Sequence, residues 1–575
     1  MTGRIRFISI IIIVVAIIMS VRLYFIQIVY GSSFVSDAER QNINENTISY
    51  DRGDIYFENK DGEDIPAAIS RSGFTVAINP KIIKDPVEIY KNLSKVLVLD
   101  KTEFMAKAAK KDDPYEEIAN QLNVETASKV KALNIYGVTM ATDKWRFYPG
   151  GKLASNTIGF VGFSGDLLAG RYGLERYYED ILKKDPSKAY NNFFAEFFSN
   201  VKQSLNKYPQ EEGNIITSIE PSTQLFLENE LKDVRERWGS DEAGGIIINP
   251  MNGEIIAMAW NPTFDLNNFK ESGVGLFGNP LVEGRYEMGS IIKSLTMSIG
   301  LDTGTVTASS TYNDTGCTIL NEKKICNYDG MARGVIPMQQ VLNQSLNLGA
   351  AHVALSVGNV KFAEYMRNFG VGTETGIDLP NEGIGLIKNL DSKREIEIAT
   401  ASYGQGVAFT PIETVRALSV LANGGMLITP HIVKKIEYQN GLTKKVSFAP
   451  SKQVIKKGTS EEITRMLINV VDKALRGGNA KILGYSVAAK TGTAQMTNEG
   501  HAGYVDGKYL HSFFGYFPAY NPKFLVFLFH TYPKNVKYAS ETLTDPFLNI
   551  TKFLINYYQI PPDRPEDVKI KTQQN

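Results

Sequence analysis

At 575 residues the chain is long enough for two or three domains, and a hydrophobic content of 43% is ordinary for globular protein. Lys plus Arg and Asp plus Glu balance at 62 each, so a formal net charge of +0 offers a nucleic acid no electrostatic partner. Five scattered histidines and no clustered Cys/His ligands leave catalysis by a metal or other cofactor without support.

The N-terminus opens with an uncharged apolar run, Phe7 to Val21. Alone it is too short to cross a hydrocarbon core of about 30 Å, but it continues from Leu23 to Tyr30 with Arg22, which can snorkel, as the single interruption. Residues 1–30 are therefore expected to form a cytoplasmic tip and a transmembrane signal anchor. The alternative is a cleaved signal peptide, against which no small-x-small cleavage site follows the run. Arg4 and Arg6 precede it and a mixed stretch (Asp37, Glu39, Arg40, Glu45) follows, which favours an N-terminus inside and the bulk of the chain outside the cytoplasmic membrane.

Residues 31–213 read as short strands, charged helices such as Asp112 to Leu133, and polar connectors, with no catalytic constellation. The default is a spacer and docking module. Arg52-Gly53-Asp54-Ile55, Arg146 with Tyr148-Pro149, and Gly173-Leu174-Glu175 stand out, and Arg52 with Glu175 is expected to be a structural ion pair. Lys184 to Glu212, with its Asn and Phe runs, reads as an irregular insertion or linker.

From 214 to 560 the pattern is α+β, an antiparallel sheet flanked by helices. Gly289-Ser290 is followed by an apolar stretch (Ile291, Ile292, Leu295, Met297, Ile299) that stops at Asp302-Thr303-Gly304, the pattern of a buried helix with Ser290 in its first turn. Residues three apart share a helix face, so Lys293 can reach the Ser290 hydroxyl. A serine needs a base to take its proton, and a lysine serves only when burial or nearby positive charge lowers its pKa. Other Ser-x-x-Lys strings (Ser128/Lys131, Ser199/Lys202, Ser204/Lys207) lie in polar, weakly periodic sequence.

Cys317 and Cys326 flank an expected hairpin. Its closure would bring the thiols together as a disulfide in an exported chain, and two unpaired thiols are the alternative. Ser345 could relay a proton to a leaving amine, with Asn347 bonding a substrate amide and Lys293. Thr410-Pro411-Ile412-Glu413 predicts a capping box with proline at the first helical position.

Tyr485 to Ala489 leads as a strand into Lys490-Thr491-Gly492-Thr493. There Lys490 can supply the second positive charge, the Thr491 and Thr493 hydroxyls can grip a carboxylate, and Gly492 can admit a substrate backbone. The N–H groups of Ser290 and Thr493 are the expected oxyanion hole. Strands from Ser512 to Phe517 and Phe524 to Phe529, then a helix from Asp545-Pro546 with Phe547, Ile550 and Leu554 on one face, close the pattern. The Pro-rich, charged tail 561–575 reads as disordered.

Ser290-x-x-Lys293, Ser345-x-Asn347 and Lys490-Thr491-Gly492 together resemble the motif trio of penicillin-binding proteins and serine β-lactamases. Gly245 to Pro250 with Gly253 to Met258 resembles the first hairpin of that transpeptidase domain, and Ser402-Tyr403-Gly404-Gln405-Gly406 with Thr410-Pro411 resembles a further signature. The Arg52, Arg146 and Glu175 strings resemble pedestal motifs of class B members. Met288, Ser294 and Ile219-Glu220 depart from the family pattern, where proline, proline and Ile-Asp are usual.

The resemblance implies a monofunctional peptidoglycan D,D-transpeptidase that acts on stem peptides ending in D-Ala-D-Ala and is acylated by β-lactams. It also implies a role in division or elongation and a separate membrane glycosyltransferase as partner. A non-catalytic scaffold of the cell-wall machinery and, more remotely, a β-lactamase are the competing readings.

Overall fold

The computed structural model describes residues 52–164, 167–184, 212–497 and 503–567, together with Met19 and Arg22. Apart from Met19 and Arg22, the expected anchor lies outside the described residues, as does the insertion at 185–211. No helix among the described residues is long and apolar enough to cross a membrane. These residues form two compact units, 70–145 in one and 52–69, 146–184 and 212–567 in the other.

In the smaller unit, the part of strand Asp64–Ile78 that belongs to it pairs antiparallel with Glu116–Leu122, Phe74 opposite Leu122 and Ile78 opposite Glu116. Short helices Pro86–Leu93 and Lys101–Ala108 pack Leu93 and Phe104 against Val76 and Ile78. The charged helix expected from Asp112 to Leu133 is corrected here. Its first half is the strand Glu116–Leu122, and only Val124–Ala132 is helical, started by the Asn123 side chain accepting from the Thr126 N–H at 2.8 Å. Sheet pairing, which local sequence does not show, overrides the helical propensity of this stretch.

The larger unit is built on a five-stranded antiparallel sheet. Its strands are β1 (Glu242–Ile248), β2 (Ile255–Asn261), β3 (Ala488–Thr497), β4 (Tyr504–Phe517) and β5 (Phe524–Thr531), in the order β3-β4-β5-β1-β2. The β1–β2 hairpin is the one expected at 245–258. Central β5 is buried at every position, so it reads as an apolar run from Phe524 to Phe529, and the period of two shows in which core each side chain joins.

Val526 and Leu528 face α1 (Pro221–Trp238), whose Leu227 and Leu231 share their cluster, as do Phe547, Ile550 and Leu554 of the C-terminal helix Thr544–Tyr557. Phe527 and Phe529 face the opposite core, where Leu295 and Ile299 meet Leu418, Leu421 and Leu467. Glu220, a departure from the family pattern, caps α1 by accepting from the Thr223 N–H at 2.7 Å. The helix Pro411–Ala422 carries the expected capping box, with Thr410 and Glu413 bonded reciprocally at 3.1 and 2.8 Å.

In the same unit Glu175 is fully buried between two guanidiniums, with Arg52 Nε and Arg146 Nε each 2.6 Å from its carboxylate. Arg52 also reaches Glu179 at 2.7 Å, and the Tyr148 hydroxyl donates to Glu175 at 3.3 Å. Burial would raise the Glu175 pKa, but the two arginines prevail and hold it below the ordinary carboxylate range.

The expectation of a disordered tail is corrected over 561–567. Asp563 accepts from the Ser486 N–H at 2.8 Å and from its hydroxyl, and Arg564 pairs with Asp472 at 2.8 Å. Long-range partners order a segment whose composition alone reads as unstructured. Residues 568–575 lie outside the described residues.

Candidate active site

Ser290 sits in a 3₁₀ turn, Gly289–Ile292, that runs into the helix α2 (Lys293–Asp302). This refines the expected α-helical first turn, and it tightens the pairing, because side chains three apart eclipse in a 3₁₀ helix. Lys293 Nζ lies 2.9 Å from Ser290 Oγ. The turn is held from two sides. Gly289, at φ 65°, donates its N–H to Gly404 O at 3.1 Å, and Ser512 Oγ donates to Met288 O at 2.7 Å. Met288, where the family pattern has proline, is thus pinned by a strand of the sheet.

Ser345 precedes the helix α3 (Asn347–Val357) and has φ 55°, a left-handed conformation that costs a non-glycine residue roughly 1 kcal/mol or more. Both of its oxygens face Lys293: Ser345 O accepts from Nζ at 2.6 Å, and Ser345 Oγ lies 3.3 Å from it. Lys490 Nζ donates to the same Ser345 Oγ at 2.9 Å and to Thr491 O at 2.9 Å. Ser290, Lys293, Ser345 and Lys490 therefore form one continuous polar chain, drawn from three distant parts of the sequence.

Both lysines are buried, Lys293 at 1% and Lys490 at 2% exposure. Burial, and then the charge of Lys490, pushes the Lys293 ammonium well below the usual lysine range, and burial lowers Lys490 to about 7.

Alternation along β3 sorts the third motif. Lys490, Gly492 and Ala494 are buried, Lys490 forming part of the cleft floor, whereas Thr491, Thr493 and Gln495 are half-exposed along the cleft. A Cβ on Gly492 would lie 2.3 Å from Ser512 Oγ and 2.7 Å from Met288 O. This corrects the expected role of Gly492, which lets the Ser290 turn press against the strand rather than admitting a substrate.

Asn347 also departs from expectation. Its Nδ2 donates to Cys326 O at 2.9 Å, and the acceptors around Lys293 come from Ser290 and Ser345 instead. Thr493 Oγ1 accepts from the Ala539 N–H at 3.1 Å, which leaves its own proton to donate. Of the competing Ser-x-x-Lys strings, Ser128 spends its hydroxyl on Val124 O at 2.7 Å, and the other two lie outside the described residues.

The motifs open onto a cleft of about 800 Å³. One wall is the hairpin Cys317–Leu320/Lys323–Cys326, which pairs Cys317 with Cys326 and joins them by a disulfide, deciding between the two expected states of these residues. Tyr403, Gln405, Gln495, Tyr504, Tyr509 and Tyr538 also line the cleft, and sequence reasoning gave them no role. Only the periodicity of β3, once its register is known, could have pointed to Gln495.

Residues 243–551 match the family profile of the penicillin binding protein transpeptidase domain, and 47–218 match that of the penicillin-binding protein dimerisation domain. The chain belongs to the penicillin-binding protein transpeptidase family.

Among its relatives, stage V sporulation protein D of Bacillus subtilis is 30% identical, with 100% of this chain and 88% of that protein aligned. A peptidoglycan D,D-transpeptidase FtsI of Buchnera aphidicola is 27% identical over 95% of this chain and 94% of its own length. The fold is shared with penicillin binding protein 3 of Mycobacterium tuberculosis complexed with aztreonam, at TM-score 0.67 and 21% identity over 90% of this chain and 98% of that one. It is also shared with penicillin binding protein 2X of Streptococcus thermophilus, at TM-score 0.71 and 19% identity over 90% and 81%. The α+β transpeptidase domain is thus joined to a dimerisation or pedestal module.

Proposed function

We propose that this penicillin-binding protein is a peptidoglycan D,D-transpeptidase in which Ser290 carries the acyl group. The observation that carries the reading is the unbroken chain Ser290–Lys293–Ser345–Lys490, with separations of 2.9, 3.3 and 2.9 Å. Lys293, as a neutral amine, takes the Ser290 proton while Oγ attacks the carbonyl of the penultimate D-Ala. The N–H groups of Ser290 and Thr493 receive the oxyanion, and one such donor is typically worth about 10²–10³ in rate.

The proton passes through the Ser345 hydroxyl to the nitrogen of the departing D-Ala, which leaves Ser290 as an ester. An amine from a neighbouring stem peptide then attacks that ester, and the same relay runs in reverse. The Lys490 ammonium with Thr491 and Thr493 holds the terminal carboxylate, and Asn347 Oδ1, which accepts no bond among the described residues, is placed to take a substrate amide N–H. The contact among Ser290, Lys293, Ser345 and Lys490 weighs against a scaffold that has lost activity.

The test is a donor peptide ending in D-Ala-D-Ala, supplied with an amine acceptor. D-Ala release, a cross-linked product and a penicillin adduct on the peptide containing Ser290 are expected. An adduct on any other residue would sink the assignment.

The acylation rate against pH, which reports the free enzyme, is expected to be bell-shaped. As pH falls through the lowered pKa of Lys293 the base is protonated and lost. As pH rises past about 7 in the empty cleft, Lys490 loses the charge that attracts the carboxylate. Lys490→Ala should remove the alkaline limb, and a wild-type rate that climbs steadily to high pH would contradict this division of roles.

Three further elements of the reading rest on sequence and family resemblance: a single-pass anchor at residues 1–30, a catalytic domain on the outer face of the cytoplasmic membrane, and a separate membrane glycosyltransferase partner. The apolar run from Phe7 to Tyr30 and its flanking Arg4 and Arg6 support the first two. The third is supported by the pedestal motifs that occupy the region before the transpeptidase domain. The resemblance also favours a role in cell division or elongation.

A further inference from the structure

Whole-chain charge is balanced, yet the cleft is not. Among the described residues, those lining it include Lys323, Lys324, Arg476, Lys490 and Lys537 but no Asp or Glu. Lys490 belongs to the catalytic chain, and Arg476 is held by Asp545 through two bonds of 2.5 and 2.9 Å. The other three are exposed at the cleft mouth and make no ion pair among the described residues. The closest carboxylates in sequence do not answer them: Glu322 and Glu541 are outside the lining, and Asp329 is bound to Arg333 at 2.6 Å.

These lysines stand on supports tied to the catalytic motifs. Lys323 and Lys324 lie on the disulfide-closed hairpin whose Cys326 carbonyl accepts from Asn347. The Lys537 carbonyl is 3.0 Å from His511 Nε2, and two residues on, the Ala539 N–H donates to Thr493. Hairpin side and strand side meet where the rings of Tyr328 and Tyr538 make an edge contact at 5.8 Å. The positive charge is therefore placed beside the residues that position the donor, Asn347 on one side and Thr493 on the other.

We propose that this lysine rim is a specificity subsite for a second carboxylate of the donor peptide, upstream of its D-Ala-D-Ala end, so that donors with a free carboxylate there are acylated in preference to donors amidated at that position. The proposal rests on the transpeptidase reading and adds to it which donor the cleft selects. Exposed charges contribute modestly and are screened by salt, so the discrimination is expected in the encounter and binding of the donor rather than in the chemical step.

The experiment compares two peptides identical except for a carboxylate or a carboxamide on the residue preceding D-Ala-D-Ala, with D-Ala release followed in a single turnover without acceptor. At low salt the full-length protein should favour the acidic donor by roughly fivefold in kcat/KM, and near 1 M salt, where the Debye length is about 3 Å, the preference should fade. The triple variant Lys323→Gln, Lys324→Gln, Lys537→Gln should lose the preference while it still labels with fluorescent penicillin at the wild-type rate.

Equal rates for the two donors, or a preference that survives the triple change, would overturn the subsite. A preference seen only when an acidic acceptor is added would place the carboxylate on the other stem and overturn the donor assignment. Failure of the wild-type protein to label with penicillin would overturn the transpeptidase reading itself, and the subsite with it.

Discussion

Ser290→Ala is expected to abolish covalent labelling by a fluorescent penicillin and to lower D-Ala release by about 10⁶-fold, the scale seen when a serine nucleophile is removed from a cooperating set. Lys293→Ala should fall to nearly the same residual, and the double variant no further, because each group is useful only through the other. The 2.9 Å separation of Lys293 Nζ and Ser290 Oγ and the burial of the lysine are the grounds for this.

Lys293→Arg separates two possible roles of the lysine. A guanidinium retains the positive charge but stays protonated at any working pH. It should therefore be as inactive as alanine if Lys293 is the base. Substantial labelling in the arginine variant would mean that charge, not proton abstraction, is what this position supplies, and labelling of Ser290→Ala at wild-type strength would remove Ser290 from the chemistry.

Glu175→Ala is expected to lower stability by about 3–5 kcal/mol, the usual cost of leaving buried charge uncompensated. Two guanidiniums converge on this carboxylate at 2.6 Å each, and none of the three side chains is more than 4% exposed. Thermal or denaturant unfolding of the variant measures the loss. The pH dependence distinguishes an ion pair from packing. Since the folded-state pKa is lowered, the stabilisation is present above the ordinary carboxylate range and is lost as pH falls through the lowered value. The difference between wild type and Glu175→Gln should shrink in acid, where both carry a neutral group, and a difference independent of pH would leave shape, not charge, as the cause.

The catalytic groups were legible because chemistry restricts residue type: a hydroxyl, an amine three positions on, and a lysine before a small residue on a strand leave few alternatives. Secondary structure was legible where local pattern and tertiary context agree, as in the Thr410–Glu413 cap and the buried β5. Features that depend on distant partners were not. The left-handed Ser345, the bond from Asn347 to Cys326, the contact of Gly492 with Ser512 and Met288, and the anchoring of Asp563 by Ser486 all join segments that sequence spacing does not relate. Likewise, Glu116–Leu122 became a strand because a neighbouring strand was there to receive it. Lys323, Lys324 and Lys537 read as ordinary solvated charges until the fold places them around one opening.

Strand order has a temporal implication. The segment bearing Lys490 joins β1 only by way of β4 and β5, so the platform against which the Ser290 turn leans is completed by residues as late as Thr531. A chain emerging from the ribosome exposes its reactive serine some two hundred residues before the last strand of that platform. Domains settle as units during synthesis, and pairings between distant segments come slowly. Until the closing strand slots between its neighbours, the strand that carries Lys490 has no seat beside the Ser290 turn, and the nascent serine lacks the second ammonium of its proton-handling set.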